Sequence, residues 1–137
     1  MKYEGVEEIR ILPNDKINFP TEMDFKKFIT DDLVERDGVY HFLKKGMNCP
    51  LNTLVLFQYE GKIRAVGVLV DLIRKAYVDE DGVAWSGYYV FDTETLLYLD
   101  NPIDVRTLKM IYPEFGGFNQ AKQIVPLSYL KEIVLLF

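Results

Sequence analysis

Thr53-Leu54-Val55-Leu56-Phe57-Gln58-Tyr59, then Glu60-Gly61, then Lys62-Ile63-Arg64-Ala65-Val66-Gly67-Val68-Leu69-Val70 is the stretch that decides the fold. Two strand-like runs separated by a dipeptide ending in Gly read as a β-hairpin, because glycine enters positive φ without a steric penalty. The second run is long and nearly all apolar, which predicts a strand covered on both faces. Gly67 in its middle predicts a bulge or a sharp bend. An acidic loop (Asp79, Glu80, Asp81, Gly82) then leads into Trp85-Ser86-Gly87-Tyr88-Tyr89-Val90-Phe91, which carries the chain's single tryptophan.

The flanks supply support for this sheet. Residues 6–12 read as a first strand, ended by Pro13-Asn14-Asp15. Thr21 is a good helix N-cap with Asp24 three positions on, a form of the capping box. Phe25, Phe28, Ile29 and Leu33 then share one helical face, and Asp37-Gly38 stops the helix with Gly at the left-handed position. Residues 39–43 read as a short strand and 44–52 as a loop. A bent strand, or two short ones, is expected over 86–99, broken by Asn101-Pro102. Asp104 caps a short helix that Tyr112-Pro113 ends. Phe115-Gly116-Gly117-Phe118 reads as an aromatic loop, 123–127 as a last strand, and Ser128 as the cap of a final helix. No linker, repeat or low-complexity segment interrupts the 137 residues. The expectation is one α+β domain, a small bent sheet or open β-barrel flanked by helices. The apolar end, Leu135-Leu136-Phe137, reads as a docked terminus or a cut from a longer protein, with the cut favoured.

A composition of 49% hydrophobic and 14% aromatic residues allows a real core and excludes the disordered class. No apolar run approaches the ~20 residues that cross a bilayer, and no signal-peptide core opens the chain. One cysteine, Cys49, excludes an internal disulfide and fits a reducing, cytoplasmic setting. The net charge of −5 weighs against a nucleic-acid partner unless the cations gather locally. Lys44-Lys45, Arg74-Lys75 and Arg64 are the candidates, and as isolated side chains they would be ordinary solvated charges.

Most enzyme signatures are absent. With one histidine and one cysteine, a metal site would have to be built mainly of carboxylates, so none is expected. His41 and Cys49 lack an evident third group to orient them, and His41 reads as a strand residue satisfied by a hydrogen bond. Neither phosphate-binding glycine loop is present. The acids of 79–81 lack the spacing of a calcium loop and read as a solvated tip. Asp92 and Glu94 share a strand face, but acid–base use needs a cleft that the sequence does not show.

The aromatics carry more. Trp85, Tyr88 and Tyr89 lie at a loop–strand junction, where ring faces can stack on a base. Ser86, Gln58 and Asn52 could meet its polar edge. The competing reading makes Trp85 a packing plug at one end of the barrel.

The segment 50–137 resembles the PUA-like superfamily, in particular its EVE and YTH branches. The hairpin strands 54–59 and 63–70 match their paired-strand pattern, and Trp85-Ser86-Gly87-Tyr88-Tyr89-Val90-Phe91 is similar to the YTH tryptophan motif. Asn101-Pro102-Ile103-Asp104-Val105 and Val125-Pro126-Leu127-Ser128 look like the two helix starts of EVE domains. The match departs at Asn52-Thr53, where a Gly-Asp is usual, and in having one tryptophan, so that Tyr40, Phe42 or Tyr77 would stand in for the second cage wall. The N-terminal third does not match.

The resemblance implies a reader of a modified base, DNA ahead of RNA, of the kind found in modification-dependent restriction proteins. A fused or partner nuclease or NTPase domain would then supply any catalysis, and the domain itself would need no cofactor. It implies a base pocket walled by Trp85, Ser86, Tyr88, Tyr89, Phe57, Tyr59, Tyr40 and Tyr77. Lys44, Lys45, Arg64, Arg74 and Lys75 would contact phosphates. Two rivals share the fold: a protein-interaction domain with an apolar patch near Phe115 and Phe118, and an ASCH-like hydrolase, for which no catalytic lysine or carboxylate stands out.

Overall fold

The computed structural model describes residues 2–118 and 123–137. Its strands are β1 (Glu8–Asn14), β2 (Val39–Phe42), β3 (Thr53–Tyr59), β4 (Lys62–Ile73), β5 (Tyr77–Val78), β6 (Ala84–Trp85), β7 (Gly87–Asp104) and β8 (Ile124–Val125). Helix α1 is α-helical over Glu22–Lys27, π-helical over Phe28–Asp32 and α-helical again over Leu33–Glu35. Helix α2 spans Val105–Ile111, and α3 is a 3-10 turn, Leu127–Tyr129, running into Leu130–Val134.

The hairpin forms between β3 and β4, with Glu60 (φ 50°) and Gly61 (φ 75°) both left-handed, the geometry that matches strand twist in a two-residue turn. One six-stranded mixed sheet results, in the order β2-β7-β4-β3-β1-β8, and it does not close into a barrel. β1 runs parallel to β3 and the other pairs are antiparallel. β5 and β6 form a separate two-stranded ribbon.

Both sheet faces are covered, as the apolar β4 requires. Leu54, Leu56, Val66 and Val68 face one core with Ile9, Leu108 and Ile133. Val55, Phe57, Ala65 and Leu69 face the other, with Phe25, Ile29 and Leu33 of α1. The helix starts on the expected capping box: the Asp24 amide donates to Thr21 Oγ1 (3.2 Å) and the Thr21 amide to Asp24 Oδ2 (3.1 Å). It stops at Asp37 and Gly38, both at positive φ.

The bend lies opposite Gly67. From Val66 to Val68 the β4 strand advances two residues, while its β7 partners run from Leu97 to Asp92, five residues. Thr95, in the excursion, ties it down by accepting the Val68 amide (2.8 Å) and donating to the Asp92 carbonyl (2.6 Å).

Three expectations need correction. Asn101-Pro102 does not break β7, which continues to Asp104. Pro102 falls where the β4 register jumps, between the Ile63–Ile103 and Ala65–Tyr98 pairs, so its missing N–H interrupts no regular ladder. Ser128 caps nothing. It sits inside the 3-10 turn, whose cap position is Pro126 with no side-chain bond. Phe115 is buried, with Phe118 packed edge-on against it (5.1 Å), so this loop offers no open apolar patch. The last residue also packs inward, its ring edge-on to Tyr3 (5.3 Å). Among the described residues no helix is long and apolar enough to cross a membrane.

Candidate nucleic-acid interface

A cavity of about 380 Å³ opens beside β2, a volume in the range of small-ligand sites, roughly 300–1,000 Å³. Its floor is aromatic: Phe19, Phe28, Tyr40, Phe42 and Tyr89. Asp15, Asn18, Arg36 and Lys44 bring polar and charged groups to it, and His41 and Trp85 complete one side.

The floor is fixed by paired hydroxyls. Tyr40 lies opposite Tyr89 in the β2–β7 ladder. The Tyr40 phenol donates to Asn14 Oδ1 (2.7 Å), and the Tyr89 hydroxyl accepts the Met47 amide (2.7 Å). Burial, and then the proximity of Tyr89 and Asp15, push the Tyr40 phenol far above its ordinary value, so it stays a neutral donor.

The His41–Trp85 side is a cluster of rings. The imidazole centroid lies 5.5 Å from Trp85, 5.5 Å from Tyr77 and 5.8 Å from Tyr88. The Tyr77 hydroxyl bonds His41 Nδ1. Burial first, and the Arg36 guanidinium second, push the imidazole below its ordinary value, with Asp79 opposing. The indole N–H of Trp85 donates to Asp79 Oδ2 (2.8 Å). The other oxygen of that carboxylate accepts the Asp81 and Val83 amides (2.9 Å each). These bonds, the indole's foremost, hold Asp79 below the usual carboxylate value.

The expected pocket residues therefore divide. Trp85, Tyr40 and Tyr89 meet at the cavity together with Lys44 and Phe42. Tyr77 and Tyr88 stand against the His41 ring and do not line the cavity. Ser86 donates to the Leu43 carbonyl (2.7 Å), fastening the ribbon to the end of β2. Phe57 and Tyr59 are not pocket walls: both are fully buried. Phe57 packs on Phe91 (5.1 Å), while Tyr59 stacks on Phe25 (5.0 Å) and donates to the Phe19 carbonyl (2.6 Å). Asn52 lies outside the cavity as well, its backbone joining Glu7 and Leu69 at the start of β3.

The cations divide too. Arg74 donates to the carbonyls of Lys45 and of Met47 (2.7 Å to the latter), which ties Arg74 to the segment after β2, and Lys44 of that segment lines the cavity. Arg64 does not join them. Its side chain is 12% exposed and pairs with Glu22 (2.7 Å), which also accepts the Tyr98 hydroxyl (2.8 Å). Arg10, nearly buried, grips the Asn48 carbonyl (3.1 Å), so two arginines hold the 44–49 loop. Cys49 is half-buried in that loop, and burial pushes its thiol up.

Sequence reasoning missed Asp15, Asn18, Phe19, Phe28, Arg36 and the role of Asp79. The first five come from the segment before β2, where no motif matched. Asp79 carried a readable signal: an acid followed by Asp81-Gly82-Val83, whose amides can turn back onto it. Asp92 spends one carboxylate oxygen on the Glu94 amide (3.0 Å). Among the described residues no group of three His, Cys, Asp or Glu could hold a metal ion.

This α+β architecture is a PUA-like fold, shared with solved ASCH structures. An ASCH mutant from Zymomonas mobilis matches at 13% identity with a TM-score of 0.60, over 96% of this chain and 97% of that one. The parent Zymomonas mobilis protein matches at 12% and 0.57, over 93% and 94%. At such identity the likeness is one of fold. A YTH domain in complex with m6A is also similar, at 15% and 0.49 over 96% and 86%. No family model and no curated protein matches the chain.

Proposed function

We propose that this domain is a nucleic-acid reader that takes one extruded, modified base into the cavity beside β2, with no catalysis of its own. One observation carries the reading: Lys44 lines an aromatic cavity walled by Tyr40 and Trp85, and Arg74 is bonded to the adjacent Lys45 carbonyl, so that in this reading Lys44, Lys45, Arg74 and Lys75 form a basic ridge beside it. A flipped base needs ring faces to stack on and a phosphate grip beside the pocket. The aromatic floor supplies the first and the ridge the second, within a chain of net charge −5. Asp15 and Asn18 offer polar groups for the base edge. In this reading the domain is the target-recognition part of a modification-dependent restriction system, with DNA ahead of RNA as ligand.

The test is binding of wild type and Trp85→Ala to short DNA and RNA carrying 5-methylcytosine, N6-methyladenine or neither, at about 50 mM salt where phosphate contacts are strong. Modification-dependent binding that disappears in Trp85→Ala supports the reading. Failure to bind every oligonucleotide overturns it and points to a protein partner.

A further inference from the structure

Trp85 is the cavity wall contributed by the β5–β6 ribbon. That ribbon is hydrogen-bonded as a sheet only to itself. What fixes the angle of the indole is therefore a separate question from what builds the floor. The ring contact with His41 (5.5 Å, tilted) packs the indole but engages no donor or acceptor on it. The directional restraint is the bond from indole Nε1 to Asp79 Oδ2 (2.8 Å). Asp79 is itself anchored, because its other oxygen takes two backbone amides and its own amide donates to the Val83 carbonyl (3.0 Å).

We propose that Asp79 is a positioning residue that locks the Trp85 indole as a wall of the cavity and thereby sets the affinity for a flat heterocycle. This rests on the reading of the cavity as a base site. The same bond commits the indole N–H, so Trp85 offers a ligand its face and no hydrogen bond. The sign of the effect is diagnostic. With a neutral nucleoside as ligand, removing an acid that acted only as a charge would leave binding unchanged, whereas on a polyanion it would tighten it. Acting through Trp85, its removal weakens binding.

The experiment uses the single tryptophan as its reporter. Acrylamide quenching of Trp85 fluorescence is measured for wild type, Asp79→Ala and Asp79→Asn. Binding of the neutral nucleosides adenosine, cytidine and their N6- and C5-methylated forms is then measured for the same proteins and for Trp85→Phe. Asp79→Ala should at least double the quenching constant and weaken nucleoside binding about tenfold, the scale of one lost stacking contact. Asp79→Asn keeps one acceptor and turns the other oxygen into a donor, so it can serve the indole or the backbone amides but not both, and it should fall between wild type and Asp79→Ala in both readouts. In the Trp85→Phe background, which has no indole N–H, Asp79→Ala should change binding less than twofold. Unchanged quenching in Asp79→Ala overturns the proposal, as does unchanged or tighter nucleoside binding, or an equal loss in the Trp85→Phe background. If wild type binds no nucleoside, the base-site reading fails, and quenching alone decides whether Asp79 holds the indole.

Discussion

Gly38 shows how little room single positions leave. Its φ is +85°, and a Cβ there would lie 2.0 Å from the Phe91 carbonyl oxygen. Its own carbonyl accepts the Phe91 amide (2.9 Å), so neither backbone can retreat. Gly38→Ala should cost roughly 2 kcal/mol or more, from strain and clash together, read as a lower urea midpoint. Tyr40→Phe keeps the ring but leaves Asn14 Oδ1 without its donor, an expected loss of about 1–2 kcal/mol by the same measurement. The left-handed Gly38 was legible because a helix stop asks for it. The Tyr40–Asn14 bond was not, since it joins residues 26 apart in segments with no shared pattern.

Among the elements, α1 and the ribbon make contrasting predictions. Thr21→Ala removes a cap and should lower stability by about 1 kcal/mol, leaving the cavity's ligand contacts in place. The ribbon should respond to acid. His41 is held below its ordinary value of 6.5 in the folded chain, so the unfolded chain takes up that proton first. Its contribution is complete above pH 6.5 and is lost as pH falls through the folded value. Asp79, held below 3.8, repeats the same sign in a second, lower window. Urea unfolding followed by Trp85 emission should therefore weaken in two stages, and His41→Asn should abolish the upper one. The hairpin, the capping box and the bend at Gly67 were readable because each is set by residues a few positions apart. The continuation of β7 through Pro102 was not, because it depends on a register jump against β4 that only the paired strands define.

For the whole molecule, the division of the cations is the testable feature. If the ridge grips phosphates, Lys44→Gln and Lys45→Gln should each reduce the slope of log K against log salt by about 0.7–0.9. Arg64→Gln should leave that slope unchanged, because Arg64 is already paired with Glu22. The sequence supplied five basic candidates and no means of sorting them. Sorting needs the strap from Arg74 to Lys45, 29 residues back along the chain. Likewise the sheet and its two cores followed from apolar patterning, whereas six of the fifteen residues lining the cavity come from 13–36, whose contribution appears only when α1 is laid against β2.

The half-buried Cys49 turns the arginine-held loop into a clock. Its raised thiol, shielded between the Arg10 and Arg74 straps, should react slowly with a disulfide reagent while the loop is shut. Opening exposes it further, so at fixed pH a faster labelling rate reports a looser loop. Arg74→Gln should speed labelling severalfold in the folded protein, whereas Arg64→Gln should leave it alone. The chain thus carries, in its one native thiol, a kinetic gauge of the segment that borders the cavity, independent of any ligand.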